Sequence, residues 1–489
     1  MNKPIRNLAV ACLLLFAALL VNANVVQFVQ ADELNDRNGN QRVINEEFSR
    51  DRGAILVDGE PIAESVPSND QYRFQREYPQ AELYAPLTGY FSYIWGRRAL
   101  ENSQNSVLSG SDNRLFVSRV VDLIANKQPK GGSVELTIDG AAQRVAAEGL
   151  QALGDDVRGA VAAIDPSTGA VLAMVSQPSY DPSVLASHDF SAVNDAMAAL
   201  EEAPGSPLTN RATQQILPPG STFKLVTAAA ALEQLDMEPD DDVQGGASLG
   251  FPGIDYRLPN EGGGNCGGNT ISLQRALQVS CNVSFGALAG EIGQEGLAEQ
   301  AEKFGFGSTP LEGLASDASQ FAPEGADLEA PQLAQSGIGQ FEVAATPLQM
   351  AMVGAAIAND GVVMRPYVVE TVRSPSLRVL EEAEPEELSE AMSADNAAKL
   401  RQMMVATVQS GTATSAQIPG VEVGAKTGTA QTTADRPPYA WFVANAQSGD
   451  QQVAVAVVVE SSDTARSEIA GGRLAGPIAR SVIEAVLGE

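Results

Sequence analysis

The chain has 489 residues, 44% of them hydrophobic, with 31 basic against 61 acidic side chains and a net charge of −30. That length exceeds one ordinary domain, and the negative balance excludes nucleic acid or an anionic lipid surface as a main ligand. Three cysteines and a single histidine leave no ligand set for a metal centre, and no cofactor is expected.

No charged side chain occurs from Asn7 to Ala31, with Lys3 and Arg6 before that run and Asp32 and Glu33 after it. About 20 apolar residues span a bilayer, and a basic flank stays in the cytoplasm. Residues 1–31 are therefore read as a cytoplasmic tip and a single transmembrane anchor at the cell membrane, with the body outside the cytoplasm. A cleaved signal peptide is the rival, since Val21-Asn22-Ala23 resembles a small-residue cleavage site. The anchor is the expectation, because apolar character continues through VVQFV to Val29. Cys12 lies inside this run, which leaves Cys266 and Cys281 as the one intramolecular pair. They are either bridged, as an exported body permits, or two free buried thiols; the bridge is expected, because it would restrain the glycine-rich loop NEGGGNCGG.

Residues 32–132 form a polar, mixed stretch with short strand-like runs such as AILV at Ala54–Val57 and no visible chemistry. A Gly/Pro-rich break, KQPKGGS at Lys127–Ser133, opens a third part, residues 133–489. There VELTID alternates as a strand, GAAQRVAAEGLQAL follows as a helix, and GAVAAIDPSTGAVLAMVS reads as a hairpin turning at Asp165–Gly169. Ser221–Leu235 and Thr346–Asp360 read as helices. The acidic run from Glu381 to Glu390 reads as an exposed loop or helix. YAWFVANA and QQVAVAVVVE form a second strand pair, and GRLAGPIARSVIEAVL closes as a helix. Strands at both ends of a helix-rich middle predict an α+β fold: one antiparallel sheet packed with helices, plus an inserted helical lobe.

PGVEVGAKTGTA, Pro419–Ala430, resembles a phosphate-binding loop, but Ala425 stands where the second glycine is required. No helix follows, and Pro437 and Pro438 come next, so Lys426 needs another explanation. Ser221 and Lys224 are three apart on a helix and share a face. A serine hydroxyl needs a base, and a lysine serves when burial and a neighbouring positive charge lower its pKa. Alone this spacing is uninformative, but Ser280-Cys281-Asn282 and Lys426-Thr427-Gly428 follow. The three motifs in that order resemble the signature of penicillin-recognising serine enzymes. On that reading Lys426 holds a positive field over the serine, and Thr427 and Thr429 share a strand face suited to a substrate carboxylate. Gly428 lets a substrate backbone approach, and the N–H groups of Ser221 and Thr429 form an oxyanion hole. The sole histidine, His188, lies in a stretch that reads as a surface loop, and no Ser-His-Asp triad is expected.

PPGSTFK, VSCN and AKTGTAQ, together with RGAIL, SQPSYDP and GIGQFEVAATPLQMA, resemble class B penicillin-binding proteins, the actinobacterial members most closely. The resemblance runs from about residue 50 to the end. It departs at Phe341, where glycine is usual. It implies a penicillin-binding transpeptidase fold behind a non-catalytic pedestal, and a D,D-transpeptidase acting on peptidoglycan stem peptides and acylated by β-lactams. Ser221 would be the nucleophile, Lys224 its base, Ser280 a proton relay with Lys426, and Asn282 a hydrogen-bonding partner of the substrate amide. A membrane glycosyltransferase or another divisome or elongasome protein is the implied partner of the pedestal. The alternatives are a D,D-carboxypeptidase or class D-like β-lactamase, which hydrolyse the same acyl-enzyme, and a β-lactam sensor or cell-wall scaffold. A class A β-lactamase would carry Glu-x-x-Leu-Asn, which is absent, and class D enzymes usually carry Val where Asn282 stands. A sensor would want further membrane helices or a damaged motif.

Overall fold

The computed structural model describes residues 3–30, 41–115, 130–323, 325–433 and 436–488. Lys3–Asn24 forms helix α1, continued by a wider turn over Val25–Val29. The helix Lys3–Gln27 is long and apolar enough to cross a membrane, and none of its residues is buried against the rest of the chain. Cys12 is exposed on it.

Ile55–Val57 (β1), Glu60–Pro67 (β2) and Phe74–Glu77 (β3) form an antiparallel meander. Ser133–Leu136 (β4) pairs parallel with β1. The RGAIL stretch has a physical reason here. Arg52 and Arg76 each donate to the fully buried Glu101, at 2.7 and 2.6 Å, and Tyr78 donates to the same carboxylate at 3.1 Å. Gly53 is pressed against the 131–132 backbone, since an added Cβ would lie 1.7 Å from the Gly132 carbonyl oxygen. Lys127–Pro129 of the glycine-rich break lie outside the described residues. From Lys130 the chain is fixed, with the Gly131 and Gly132 N–H groups donating to Asp51 and Val107 carbonyls at 2.9 Å.

Gly140–Gln151 (α2) is capped by Asp139, whose carboxylate accepts from Ala142 N at 2.8 Å. Arg158–Ile164 (β5) and Val171–Gln177 (β6) form the expected hairpin, its turn closed by Gly169 N donating to Asp165 O with Gly169 at φ 83°. Among the helices that follow, Lys224–Gln234 (α3), Asn282–Lys303 (α4) and Pro347–Ala358 (α5), the last capped by Thr346, frame the site. Val369–Arg373 (β7) and Val379–Glu382 (β8) extend the first sheet, giving the order β8-β7-β4-β1-β2-β3. Ala394–Ser410 (α6) precedes Glu422–Ala430 (β9), Tyr439–Ser448 (β10) and Gln451–Ser461 (β11), and Gly471–Leu487 (α7) ends the fold.

The second sheet runs β9-β10-β11-β5-β6, antiparallel throughout. Both its faces are buried, which is why the middles of β10 and β11 read as largely apolar runs rather than alternating ones, with Asn445 the buried polar exception in β10. Phe442, Val455 and Val457 pack with α2 and α7, while Trp441, Val443 and Val458 belong to the larger core shared with α3, α4 and α5. The fold is the α+β arrangement expected. Two local readings change. The acidic run is exposed, as expected, but holds strands rather than a helix: β8 pairs with β7 and Glu387–Glu390 pairs with Val362–Met364, joined by a loop over 383–386, with Leu380 and Leu388 half-buried and the glutamates exposed. The helix expected from Ser221 begins instead as a 3-10 turn, Gly220–Phe223, tightened by Thr222 Oγ1 donating to Pro219 O at 2.8 Å.

Glu101 gives the fold a testable weak point. Burial pushes its carboxyl group up, but Arg52 and Arg76 outweigh burial and hold it below the ordinary carboxylate range. That contribution is present at neutral pH and is lost only in acid, as pH falls through the lowered value. Glu101→Ala leaves two buried guanidinium groups without their carboxylate and is expected to cost about 3–5 kcal/mol. Urea unfolding measures this, and a loss under about 1 kcal/mol, the worth of a surface pair, would contradict it.

Candidate active site

Ser221 lies in the 3-10 turn, where residues three apart eclipse, so Lys224 stands directly over it on the first turn of α3. Both are buried, Lys224 completely. The chain passes from Leu273–Gln278 into a tight bend, and Ser280 adopts φ 60° before α4 begins at Asn282. This bend turns Ser280 and Asn282 towards the same ammonium group. Lys224 Nζ donates to Ser280 O at 2.8 Å, Ser280 Oγ at 3.3 Å and Asn282 Oδ1 at 2.7 Å. Lys426, fully buried on β9, donates to Ser280 Oγ at 2.8 Å and to Thr427 O at 2.8 Å. Two lysines from distant segments thus meet at one hydroxyl. Among the described residues no hydrogen bond joins Lys224 Nζ to Ser221 Oγ; such contacts often tighten only with substrate in place.

The electrostatics follow from that crowding. Burial drives Lys224 well below the ordinary lysine range, the positive charge of Lys426 adds to this, and the Glu261 carboxylate opposes it. Burial brings Lys426 down to about 7, again against the pull of Glu261. Two adjacent ammonium groups with little solvent are unfavourable, so near neutrality one gives up its proton.

Backbone contacts bring the three segments together. Gly220 takes φ 54°, and an added Cβ there would lie 3.1 Å from Thr429 C and Ala430 N. Its N–H donates to Gly339 O at 2.9 Å, and Gly339 has no room for a side chain because Gly220 O would be 2.1 Å away. Gly428 also has a structural reason. A Cβ there would meet Pro219 O at 2.9 Å and Trp441 Cβ at 3.0 Å, so its bareness admits the nucleophile turn. Thr427 and Thr429 share a face of β9 as expected. Thr427 Oγ1 is bonded to Thr412 Oγ1 at 2.8 Å, and Thr429 is half-buried. Phe341 adopts φ 63°, a conformation natural to glycine, and its ring is exposed.

Sequence reading missed Thr412, Asn260 and Glu261. Asn260 Oδ1 accepts from Asn282 N at 3.0 Å and Val283 N at 3.1 Å, closing the start of α4. The proximity of Asn260 to Cys266 in NEGGGNCGG is the only signal that could have found it. The structure joins Cys266 to Cys281, Cα atoms 5.7 Å apart, which ties this loop to the Ser280–Asn282 bend. His188 lies in a loop as read, but its side chain is largely buried, paired with Asp70 and packed near Tyr72. Among the described residues no cluster able to hold a metal occurs.

Gly220→Ala is expected to destabilise the protein by about 1–3 kcal/mol, because alanine must hold a left-handed conformation against the β9 backbone. Replacing both Cys266 and Cys281 by serine frees a loop with a sequence separation of 15 and is expected to cost up to about 3 kcal/mol. Denaturant titration checks both, and unchanged midpoints would contradict the reading.

Comparison with known proteins agrees with this geometry. The penicillin-binding protein transpeptidase domain family matches residues 159–484, and the penicillin-binding protein A dimerisation domain family matches residues 52–134. The peptidoglycan D,D-transpeptidase PbpA of Mycolicibacterium smegmatis is 42% identical over 100% of both chains. Its namesake from Mycobacterium tuberculosis is 40% identical over 100% of this chain and 99% of its own. Among solved structures, the ceftriaxone acyl-enzyme of penicillin-binding protein A from M. tuberculosis is 40% identical, with a TM-score of 0.86, over 91% of this chain and 100% of that one. Its penicillin G acyl-enzyme gives a TM-score of 0.84 at 40% identity, over 90% of this chain and 100% of that one. The chain belongs to the penicillin-binding protein transpeptidase family.

Proposed function

We propose that the chain is a membrane-anchored D,D-transpeptidase that cross-links peptidoglycan stem peptides through an acyl-enzyme on Ser221 and is acylated there by β-lactams. The observation that carries this reading is the meeting of Lys224 and Lys426 at Ser280 Oγ, beside the turn that holds Ser221. Neutral Lys224 takes the Ser221 proton as the hydroxyl attacks the penultimate D-alanine carbonyl. The developing oxyanion is received by the N–H groups of Ser221 and Thr429, a role supported by the packing of Gly220 against the Thr429–Ala430 peptide. Ser280 passes a proton to the departing D-alanine, and Lys426 holds the positive field. Asn282 hydrogen-bonds the substrate amide, while Thr427 and Thr429, with Gly428 between them, border the substrate carboxylate. An amine from a second stem then resolves the acyl-enzyme.

The helix Lys3–Gln27 anchors the protein, with the N-terminus cytoplasmic and the body extracytoplasmic on this reading. Residues 32–132 serve as a pedestal with no part in the chemistry, and a membrane glycosyltransferase or another divisome or elongasome protein is the partner proposed for it.

Intact-mass analysis after incubation with penicillin G tests the central step. A stable adduct that maps to Ser221 and disappears in Ser221→Ala is expected. Rapid turnover would favour a hydrolase, and no adduct on folded protein would sink the proposal. The lysines set the pH dependence. Acylation requires Lys224 neutral, so its rate rises with pH through that group's lowered pKa. It also requires Lys426 charged, so the rate falls as pH passes about 7. Lys426→Arg, which stays protonated, is expected to lose the alkaline limb while keeping the acid one. A profile identical to that of the parent would rule out this assignment of Lys426.

A further inference from the structure

Cross-linking consumes two substrates, and the groups described so far account for the donor. On the reading above, on which this inference rests, the acceptor is an amine, which at neutral pH arrives as an ammonium ion. A cleft that already buries two lysines repels such a cation unless a carboxylate stands at its approach.

Glu261 is placed to be that carboxylate. Pro259 O accepts from Asn282 Nδ2 at 3.0 Å, and Asn260 Oδ1 accepts from Asn282 N and Val283 N. Asn260 Nδ2 in turn donates to Gly246 O at 2.7 Å and Gly264 O at 2.9 Å. The two residues before Glu261 are therefore pinned to the Ser280–Asn282 bend, and the Cys266–Cys281 bridge closes the same loop from its other end. The Glu261 side chain is exposed and has no ion-pair partner among the described residues. Its charge nevertheless reaches both buried amines. The cleft thus has two poles. Lys426 approaches Ser280 from β9, beside Thr427 and Thr429, where the donor carboxylate belongs. Lys224 joins Ser280 to Asn282, and Asn282 is bonded to Pro259 and Asn260, the two residues that precede Glu261.

We propose that Glu261 receives the acceptor ammonium and holds it facing the acyl carbon on Ser221. The ammonium loses one proton to solvent, and the free amine attacks the acyl carbon. The C–N bond forms as the bond from that carbon to Ser221 Oγ breaks, and a second amine proton passes to Oγ. The products are the amide and the free serine.

The full-length protein in detergent, given a D-alanyl thioester donor, tests this with two acceptors. D-Alaninamide is an ammonium at neutral pH and hydroxylamine is uncharged. In Glu261→Gln the ratio of D-alaninamide transfer to hydroxylamine transfer is expected to fall roughly three- to tenfold, Glu261→Asp restoring most of it. Added salt should lower the parent's ratio towards that of Glu261→Gln. An unchanged ratio, or both transfers falling together as a loosened loop would cause, overturns the proposal. A parent protein that forms no acyl-enzyme with thioester or penicillin removes the transpeptidase reading itself, a result distinct from an unchanged ratio.

Discussion

Two lysine side chains without solvent, sharing one serine hydroxyl, are the constraint on which the rest of this structure depends. Lys224 and Lys426 reach Ser280 Oγ at 3.3 and 2.8 Å. Two unit charges about 4 Å apart repel by roughly 4 kcal/mol at the effective dielectric of a protein surface, and more where water is excluded. The pair therefore sheds a proton near neutrality, and the neutral member becomes a base without any histidine. The arrangement opposes folding. Between about pH 7 and the ordinary lysine range the unfolded chain binds more protons than the folded one at Lys426, so this group's contribution to stability rises with pH across that window.

An unfavourable site of this kind persists only if the surrounding backbone leaves it no alternative geometry. Here the backbone does so by packing glycines directly against the main chain of other segments. Gly339 touches Gly220, Gly220 touches the Thr429–Ala430 peptide, Gly428 touches Pro219, and Gly471 at the start of α7 lies against Trp441 O and Gly428 O. The nucleophile turn is thereby clamped between the 337–341 loop and β9. β9 is an edge strand, but α6 covers it and Thr412 pins Thr427, so it keeps a fixed height above the serine.

Much of this was legible in the residues. The hairpin at 159–177, the largely apolar β10 and β11 and the capped α5 follow from periodicity and turn chemistry, which depend on neighbours in sequence. The three motifs were visible because each carries an unusual residue type at fixed spacing. What was not legible depends on neighbours in space. Glycine at 428 looks the same whether it admits a substrate or the Pro219 carbonyl. The acidic run is exposed, as its glutamates suggest, but its strands form by pairing with β7 and Val362–Met364, which composition does not show. Thr412 and Asn260 are ordinary polar residues whose partners lie 15 and 22 positions away.

The protonation of the two buried amines can be observed directly. With 15N-labelled lysine side chains, NMR titration of the folded protein should show two Nζ signals that move apart from the rest. Lys426 should titrate near 7 and Lys224 well below the ordinary lysine range. Signals for Lys224 and Lys426, identified by substitution, that titrate together with the exposed lysines would contradict the account.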